Sequence, residues 1–473
     1  MIGSASAQTT YNWNAGTGNY TDSGNWTPAG GATSADTAKI SNGGTATLAA
    51  GTGVGFKLIL ENASSMTVTG GNLTIGNSIF LGNTASGTQN GTMNISAGTV
   101  ATQTFTLGIN AGSTGIVNMS GGNLTISSTL TVGSTANGMF TLTGGTVSAV
   151  KIDIGSASTT SNGTLSLSGG SFTTLSGNIT VGLLGNGTVN VSDAGTLTVG
   201  SSGTKSIVLA STAGKTGTLN VGTGAAAGSI SALDVIGGNG TATVNFNHTG
   251  ALSFSPLLKG SLSVNKSGAG TTTLSGNNTY TGATAINAGT MLVAGTAANS
   301  AFTVASGGTL GGSGTVGAVT VDAGGTLAPG SGPGILNAGN LSLAGTLAAT
   351  INGTTVGTQY NQANVTGTVT LVAGNSITLS LGYSPTIGDN IFLINNDGAD
   401  AITGLLNGYA QDSTFNLTGQ NWKISYVGDF GANTFTGGND LVIQAIIPEP
   451  ATWALLAATG TFFMVMRRRS NKA

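Results

Sequence analysis

Apolar and polar residues alternate over most of this chain, in short runs that end at glycine. Typical runs are "GTLSLS", beginning at Gly163, and "GNITVG", beginning at Gly177, in which every second residue is aliphatic. Alternation with period two is typical of a strand with one buried face, and Thr and Val suit a pleated surface. Helical spacing is absent from this body. The pattern therefore predicts many short strands that each turn one face inward.

Three glycine markers recur at a common spacing of roughly 22–27 residues. The second residue of a Gly-Gly or Ala-Gly pair recurs at Gly71, Gly98, Gly122, Gly145, Gly170 and Gly195. The glycine of an Asn-Gly or Thr-Gly pair recurs at Gly91, Gly115, Gly138, Gly163 and Gly187. An aliphatic residue followed by glycine recurs at Leu107-Gly108, Val132-Gly133, Ile154-Gly155 and Val181-Gly182. Each repeat of about 24 residues therefore holds three short strands and their turns.

Three strands closed by tight glycine turns form one coil of a parallel β-solenoid, in which Gly permits the positive φ of each corner. A single coil buries about six aliphatic side chains, worth on the order of 1.5–3 kcal/mol each, whereas ordering its backbone costs roughly 1–2 kcal/mol per residue. One coil alone is therefore unstable, and stacked coils share main-chain hydrogen bonds and an apolar interior. We predict an all-β fold of around fourteen such coils between Ile40 and Leu381.

The composition is that of a folded but nearly uncharged body. Of the 473 residues, 82 are glycine, 39% are apolar and only 5% are charged. This apolar fraction is too high for a disordered linker. The formal net charge is −2 without a basic stripe, so we expect no nucleic-acid partner. The absence of cysteine excludes disulfides, thiol catalysis and Cys-based zinc sites.

The stretch from Lys266 to Gly295 departs from the preceding repeats. Its distinctive pieces are Lys266 with Gly268 and Gly270, "TLSGNNTYTG" from Thr273, and "NAGTMLVAG" from Asn287. This stretch resembles the autotransporter-associated β-strand repeat of bacterial passenger domains, and "VTVDAGGTLAPG" from Val319 resembles its usual continuation. The resemblance implies a secreted, right-handed parallel β-helix and names no substrate. A self-exporting autotransporter also needs a C-terminal translocator barrel, which we do not expect here.

The C-terminal segment 448–473 carries a second signal. Pro448, Glu449 and Pro450 precede sixteen charge-free residues, 451–466, and the cluster Arg467, Arg468 and Arg469 follows. A helix of that length spans about 24 Å, somewhat short of a bilayer core near 30 Å, but snorkelling arginines and local thinning bridge the difference. A plain C-terminal anchor is one interpretation. The three parts in this order also resemble the PEP-CTERM sorting signal of Gram-negative bacteria.

The resemblance to PEP-CTERM proteins implies processing by an exosortase in the inner membrane, which would cleave near Pro448, Glu449 and Pro450. The arginine cluster stays in the cytoplasm, so the body must cross the inner membrane through the export machinery. The tripeptide "ASA" before Gln8 looks like the end of a signal peptide whose basic and apolar regions are missing. We expect either that the sequence is truncated at this end or that the start codon lies earlier, with cleavage near Ala7 and Gln8.

Seven segments follow from these patterns. They are a signal-peptide remnant (1–8), an N-terminal cap (9–40), solenoid repeats (41–265), the autotransporter-associated β-strand repeat (266–295), continuing solenoid (296–380), a β-rich C-terminal cap (381–447) and the PEP-CTERM signal with its transmembrane helix (448–473). The N-terminal cap contains Trp13 and Trp26, for which we weigh coverage of the first coil against stacking on a sugar ring.

Enzymatic activity is an alternative, because many polysaccharide lyases and hydrolases are β-helices. Their chemistry needs carboxylates and cations that converge on one groove. Here 13 acidic residues and 8 lysines are spread thinly before Pro448, and no arginine precedes Arg467. His248 is the only histidine, and we expect it to be structural or exposed. We therefore expect no catalytic residues, no cofactor and no metal.

The aspartates are the remaining catalytic candidates. Asp153 and Asp193 are almost two coils apart, and four denser ones lie in sequences typical of turns, namely Asp389, Asp397, Asp400 and Asp412. The sequence therefore favours a non-enzymatic, secreted or cell-surface structural and adhesive rod, in contact with exopolysaccharide or a neighbouring cell surface. A polysaccharide-active lyase or hydrolase is the alternative.

Overall fold

The computed structural model of the chain describes residues 8–83 and 90–447, which fall into two compact units that divide between Leu327 and Ala328. The only helical segment in these described ranges is the 3-10 turn Ser23–Asn25. The strands of the first unit are Thr10–Trp13, Thr17–Asn19, Trp26–Thr27, Thr37–Ile40, Thr45–Leu48, Thr52–Leu60, Ser64–Leu81, Gly91–Leu107, Thr114–Met119, Asn123–Val132, Asn137–Ile154, Asn162–Thr174, Ile179–Val181, Asn186–Val191, Thr196–Thr198, Ile207–Leu209, Thr216–Val221, Ser229–Ser231, Asp234–Phe246, Ala251–Phe254, Leu257–Lys266, Thr271–Leu274, Thr284–Ile286, Gly289–Val293, Thr296–Ala297, Phe302–Val304, Gly308–Gly312, Thr315–Val316 and Val319–Val321. Those of the second are Thr326–Pro329, Ile335–Ala338, Leu341–Leu343, Thr346–Ile351, Gln362–Val365, Val369–Leu371, Ser376–Leu381, Asn390–Asn396, Thr414–Leu417, Gln420–Gly428 and Asp440–Ile446.

In the first unit the coils contribute to parallel ladders, three of which we name A, B and C in the order in which the chain visits them. A further parallel ladder, formed by 251–254, 271–274, 289–293 and 308–311, belongs to the later coils. Ladder A has fourteen segments: 17–19, 45–48, 65–68, 92–95, 116–119, 139–142, 164–167, 188–191, 218–221, 243–246, 263–266, 284–286, 302–304 and 319–321. Ladder B has eight: 52–55, 72–75, 99–102, 123–126, 146–149, 171–174, 196–198 and 229–231. Ladder C has eleven: 10–12, 37–40, 57–60, 78–81, 104–107, 129–132, 151–154, 179–181, 207–209, 234–237 and 257–260. Parallel pairing between successive coils confirms the predicted all-β parallel β-solenoid.

The core lies between the ladders, where inward side chains of successive coils stack. Along the strand Asn186–Val191, for example, Gly187, Val189 and Val191 are buried and the residues between them are half-buried. Leu165, Val189 and Leu219 occupy one inward column of ladder A and are 0% exposed. Burial of this kind contributes on the order of 1.5–3 kcal/mol per side chain. Alternation in the sequence therefore becomes a continuous apolar interior.

The repeat length is less constant than the sequence markers indicate. From Thr67 to Asn190, residues paired in ladder A follow one another at the predicted spacing of about 24 residues. The next coil is longer, since Asn190 pairs with Asn220, and the last ones are shorter, since Ala285 pairs with Thr303 and Thr303 with Thr320. Because hydrogen bonds fix only the strand segments, the turns absorb this variation.

The glycine markers serve two different purposes. The first five glycines of the Gly-Gly or Ala-Gly series have φ between +65° and +86°, as predicted for corners. Gly195 departs from this series, because at its corner the positive φ, +53°, is at Asp193. The Asn-Gly glycines are strand residues without positive φ, and a Cβ at Gly138 or Gly163 would overlap backbone atoms of another segment. These glycines permit close approach of the chain, which the sequence pattern alone does not distinguish from a turn.

The first coil is closed by aromatic side chains. Trp13 and Tyr20 both pack edge-on against Trp26, with ring centroids 5.0 and 5.2 Å apart. All three are at most 4% exposed, and the Trp26 indole donates a 2.8 Å hydrogen bond to the Tyr20 carbonyl. The strand Trp26–Thr27 also pairs antiparallel with Thr10–Trp13. The tryptophans therefore belong to the protein interior, and sugar stacking on them is not supported.

The second unit continues the parallel pattern and then changes direction. Segments 335–338, 362–365 and 394–396 are paired in parallel, as are 346–351 and 376–381. Asn390–Asn396 then pairs antiparallel with Asp440–Ile446, which pairs with Gln420–Gly428, and that strand pairs with Thr414–Leu417. Antiparallel strands thus occupy the segment predicted as a β-rich cap.

The predicted transmembrane helix lies in 448–473, outside the described residues. Within 8–83 and 90–447, no helix has the length and apolar content that crossing a bilayer requires.

Candidate functional site

The residues predicted for sorting and processing lie almost entirely outside the described residues. Pro448, Glu449 and Pro450, the cluster Arg467, Arg468 and Arg469, and Ala7 all fall there. Gln8 is described and is exposed, just before the first strand. The described residues that bear on function are therefore those of the outward faces and the buried polar groups of the body.

Lys266, which begins the passenger-type stretch, is a core residue. It occupies an inward position of ladder A, between Phe246 and Ile286, and is 0% exposed. Its ammonium group donates hydrogen bonds to the carbonyl oxygens of Gly268 and, at 3.4 Å, Ala288. Desolvation lowers the pKa of this amine below its ordinary value. Lys266 therefore connects two corners of successive coils from inside the solenoid.

His248 lies in the same buried corner. Its Nδ1 is 3.1 Å from the Thr249 carbonyl oxygen and its Nε2 is 2.8 Å from the Thr272 hydroxyl. A carbonyl only accepts, so Nδ1 carries the proton and Nε2 accepts from Thr272. Burial, with a smaller contribution from the charge of Lys266, lowers the pKa of the imidazole. The histidine is thus a fully buried structural group, one of the two roles that we expected for it.

Two further polar side chains of the passenger-type stretch, those of Asn278 and Tyr280, are also buried and bonded internally. The Asn278 side chain accepts from the Leu258 amide at 2.9 Å and donates to the carbonyls of Gly276 and Thr296 at 2.9 and 3.2 Å. The Tyr280 hydroxyl lies 2.6 Å from the Thr284 hydroxyl, and its burial raises the pKa of the phenol. These bonds join neighbouring coils at the corners, whereas other polar residues of the stretch, such as Asn277 and Asn287, are exposed.

The outward face of ladder A carries a chain of side-chain amides. Each Nδ2 donates to the Oδ1 of the preceding coil, at 2.7 Å from Asn220 to Asn190, 2.7 Å from Asn245 to Asn220 and 3.0 Å from Asn265 to Asn245. Asn190 in turn donates to the Ser166 hydroxyl at 3.0 Å. All these hydrogen bonds point the same way along the stack, and hydrogen bonds in such a series polarise one another. We call this series the amide ladder; its side-chain amides bond mainly to one another and so join successive coils.

The outward face of ladder B carries hydroxyl groups. Its strands present pairs such as Asn123 with Thr125, and Thr196 with Thr198, on either side of a buried leucine. The next coils repeat this arrangement in register because the pairing is parallel. Sixteen outward positions result, and none is charged or aromatic: Thr52, Val54, Asn72, Thr74, Thr99, Ala101, Asn123, Thr125, Thr146, Ser148, Ser171, Thr173, Thr196, Thr198, Ser229 and Ser231. We call this set the hydroxyl array.

The outward face of ladder C carries most of the ion pairs of the first unit. Lys39 pairs with Glu61 at 2.7 Å, Lys151 with Asp153 at 2.8 Å, and Lys259 with Asp234 at 2.7 Å. The lysine side chains are 33–49% exposed, but the carboxylates of Glu61 and Asp234 are only 3% and 5% exposed, so their lysines compensate buried negative charge. The more exposed Lys151–Asp153 pair contributes about 0–1 kcal/mol. The three faces of the solenoid therefore differ in chemistry, although the repeats look alike in sequence.

A shallow groove of about 300 Å³ crosses three coils at the corner between ladders A and B. Asn94, Asn118 and Thr141 line it on the ladder A side, and Ser96, Ser120 and Thr143 line it at the turn. Asn118 donates to Asn94 at 3.0 Å. The strands of the hydroxyl array begin just beyond this turn, so the groove borders the array.

The aspartates that were weighed as catalytic candidates are scattered or used in turns. Asp153 is in ladder C beside Lys151, whereas Asp193 is at a corner between ladders A and B. Asp389 accepts from the Thr386 amide at 2.8 Å, and Asp412 pairs with Lys423 at 2.9 Å. Among the residues that the structure describes, no group of three or more His, Cys, Asp or Glu side chains could hold a metal ion.

Comparison with known families supports the resemblance seen in the sequence. Residues 264–293 match the family model described as the passenger-associated-transport-repeat. No curated protein matches the chain. The chain thus contains one passenger-associated-transport-repeat within a parallel β-solenoid, an arrangement consistent with a surface or secreted structural role.

Proposed function

We propose that this chain is a non-enzymatic, structural and adhesive protein of the bacterial cell surface or extracellular matrix. The observation that carries the proposal is the match of residues 264–293 to a passenger repeat, within a parallel β-solenoid in which the buried Lys266 and Asn278 make internal hydrogen bonds. What remains on the outside is mostly uncharged hydroxyl and amide groups. A rigid, repetitive surface of this kind suits contact with polymers or neighbouring cells.

The proposal includes a route to the surface. After export across the inner membrane, the segment 451–466 holds the chain in the membrane and Arg467, Arg468 and Arg469 remain cytoplasmic. An exosortase then cleaves near Pro448, Glu449 and Pro450 and releases or transfers the body, in a Gram-negative host that makes exopolysaccharide. The support is the order of these three parts in the sequence.

The mass of the mature protein from its native host tests this route. A C-terminus near residue 450 is the expected result, and mass spectrometry of the N-terminus reads the cleavage beside Gln8 in the same experiment. An intact C-terminus at Ala473 on a membrane-bound protein would contradict processing and favour a permanent anchor. Replacement of Pro448, Glu449 and Pro450 by alanine should leave the tail uncut, whereas alanine at Asn471 and Lys472 should not.

The alternative function is a polysaccharide lyase or hydrolase, which the β-helical fold permits. Glycoside hydrolysis needs two carboxyl groups about 5–10 Å apart on one groove, whereas Asp153 and Asp193 lie in different parts of the coil. Incubation of the purified body with neutral and acidic polysaccharides distinguishes the two proposals. Release of reducing ends or unsaturated sugars would overturn the structural proposal.

A further inference from the structure

We propose that the hydroxyl array on the outward face of ladder B is a binding surface for an uncharged polysaccharide. The inference rests on the proposed surface function and identifies the face that makes contact and the class of polymer that it contacts. Fourteen of the sixteen positions are Ser, Thr or Asn, the two others being Val54 and Ala101. All sixteen are exposed or half-exposed.

Most of these polar groups have hydrogen-bonding capacity left for a ligand. Only two internal side-chain bonds occur in the array, from Thr99 to Asn72 at 2.7 Å and from Thr146 to Asn123 at 2.9 Å. These four residues come before the buried residue of their strands. The row that comes after the buried residues makes no such bonds in the described part of the chain, and its hydroxyl residues are Thr74, Thr125, Ser148, Thr173, Thr198 and Ser231. On the face of ladder A, by contrast, the asparagine amides are occupied with one another.

The geometry favours a partner with repeated polar groups. Parallel in-register pairing sets the rows about 4.7–4.9 Å apart from coil to coil, and outward residues of one strand about 6.6 Å apart. Threonine is β-branched, so its side chain is stiff and loses little freedom on binding. A sugar polymer also repeats its hydroxyl groups along its length, and each Ser or Thr both donates and accepts hydrogen bonds.

Charge decides the class of polymer. None of the sixteen positions is charged, and the exposed Lys205 lies only at the corner that follows Thr198, so an acidic polysaccharide would find no row of cations along this face. The lysines in ladders A and C lie in the core or on the face of ladder C, as Lys266 and Lys151 do. The array therefore fits a neutral polymer.

The array also predicts how affinity depends on ligand length. No aromatic ring is present for a sugar to stack on, so binding depends on hydrogen bonds, each of which contributes little net free energy because it replaces a bond to water. Many weak contacts on one rigid face add up through multivalency. Long polymers should therefore bind while monosaccharides and disaccharides do not. The groove lined by Ser96, Ser120 and Thr143 crosses three coils and forms a concave border beside the array.

Affinity electrophoresis of the full chain in gels that contain a neutral galactomannan, a neutral cellulose derivative or alginate tests the inference. The test variant combines Thr125→Val, Thr173→Val and Thr198→Val, which keeps shape and β-propensity and removes three hydroxyls. The matched control combines Thr106→Val, Thr131→Val and Thr180→Val. These three positions are also half-buried, each lies between two buried residues, and none has a side-chain hydrogen bond within the described part of the chain, but they belong to ladder C.

Retardation by a neutral polymer is expected for the wild type and the control, and about tenfold weaker binding for the test variant. The corresponding Thr→Ser triple variant should bind like the wild type, and circular dichroism should report the same fold for all four proteins. Equal loss in both Val variants, stronger retardation by alginate, or equally tight binding of a disaccharide would overturn the inference. So would an oligomer, seen by sedimentation, that the test variant dissociates, because the array would then bind a second copy.

The two proposals fail separately. If no polymer retards the chain while its C-terminus is processed and no sugar is released, only the array inference is wrong. If sugars are released, the structural function itself is wrong.

Discussion

Substitution of a corner glycine by alanine tests whether the preceding coil leaves no room for a Cβ there, in addition to the strain that a positive φ imposes. Gly145 has φ +86°, and a Cβ there would lie 2.6 Å from the Gly122 oxygen and 2.7 Å from the Gly121 carbonyl carbon, both in the preceding coil. Gly112 has a similar φ of +82°, but a Cβ there would meet no atom within 4 Å. The pair therefore separates conformational strain from steric conflict.

The expected costs follow from these contacts. Alanine at Gly112 should lower the free energy of unfolding by about 1–2 kcal/mol, the cost of a left-handed conformation for a residue with a Cβ. Alanine at Gly145 carries the same cost plus about 1–3 kcal/mol of overpacking, because the atoms in its way are backbone and cannot rotate aside. The sum is about 2–5 kcal/mol. Since each coil is stabilised by its neighbours, the disturbance should extend to adjoining coils.

Urea unfolding followed by circular dichroism measures both variants. The midpoint should fall further for Gly145→Ala than for Gly112→Ala, and a broader transition would indicate that coils on either side unfold separately. Equal midpoints for the two variants would refute the reasoning, because close approach of successive corners would then contribute nothing.

Three further outcomes are expected. Burial lowers the pKa of both His248 and Lys266, so the unfolded chain binds more protons than the folded one, and stability should rise with pH up to the ordinary pKa values of 6.5 and 10.5. In thermal melts at several pH values, Lys266→Met should lack the alkaline part of this rise. An unchanged pH profile in that variant would show that the alkaline rise does not come from Lys266. Phe172→Ala removes a ring that is 0% exposed and should cost about 3–5 kcal/mol in urea unfolding, and a cost under about 1 kcal/mol would contradict the packed core. Asn220→Asp removes the hydrogen-bond donor to Asn190 and should lower the free energy of unfolding by about 1–3 kcal/mol at neutral pH. This loss of stability should shrink below about pH 4, where the new carboxyl group is protonated and can donate. A loss of stability that does not depend on pH would argue against the amide ladder.

Much of the fold follows from the sequence because its determinants are local. Period-two alternation requires a half-buried strand, and the glycines of the Gly-Gly series require a conformation that other residues adopt only with strain. These two signals, repeated in Gly71 through Gly170, predict coils and their approximate number. The resemblance of Lys266 to Gly295 to a passenger repeat is likewise visible in one stretch of the chain.

Contacts between coils could not be read in the same way, because they join residues a whole coil apart and depend on turn lengths that the markers do not fix. The sequence determined that this chain forms coils of strands with polar outward faces. Only the tertiary structure decided that Lys266 and His248 are buried in one corner, that Asp193 takes the positive φ expected at Gly195, and that the amides form a ladder on one face and the free hydroxyls an array on another. The physical reason is that alternation specifies which residues point outward, whereas register between coils decides which of them are neighbours.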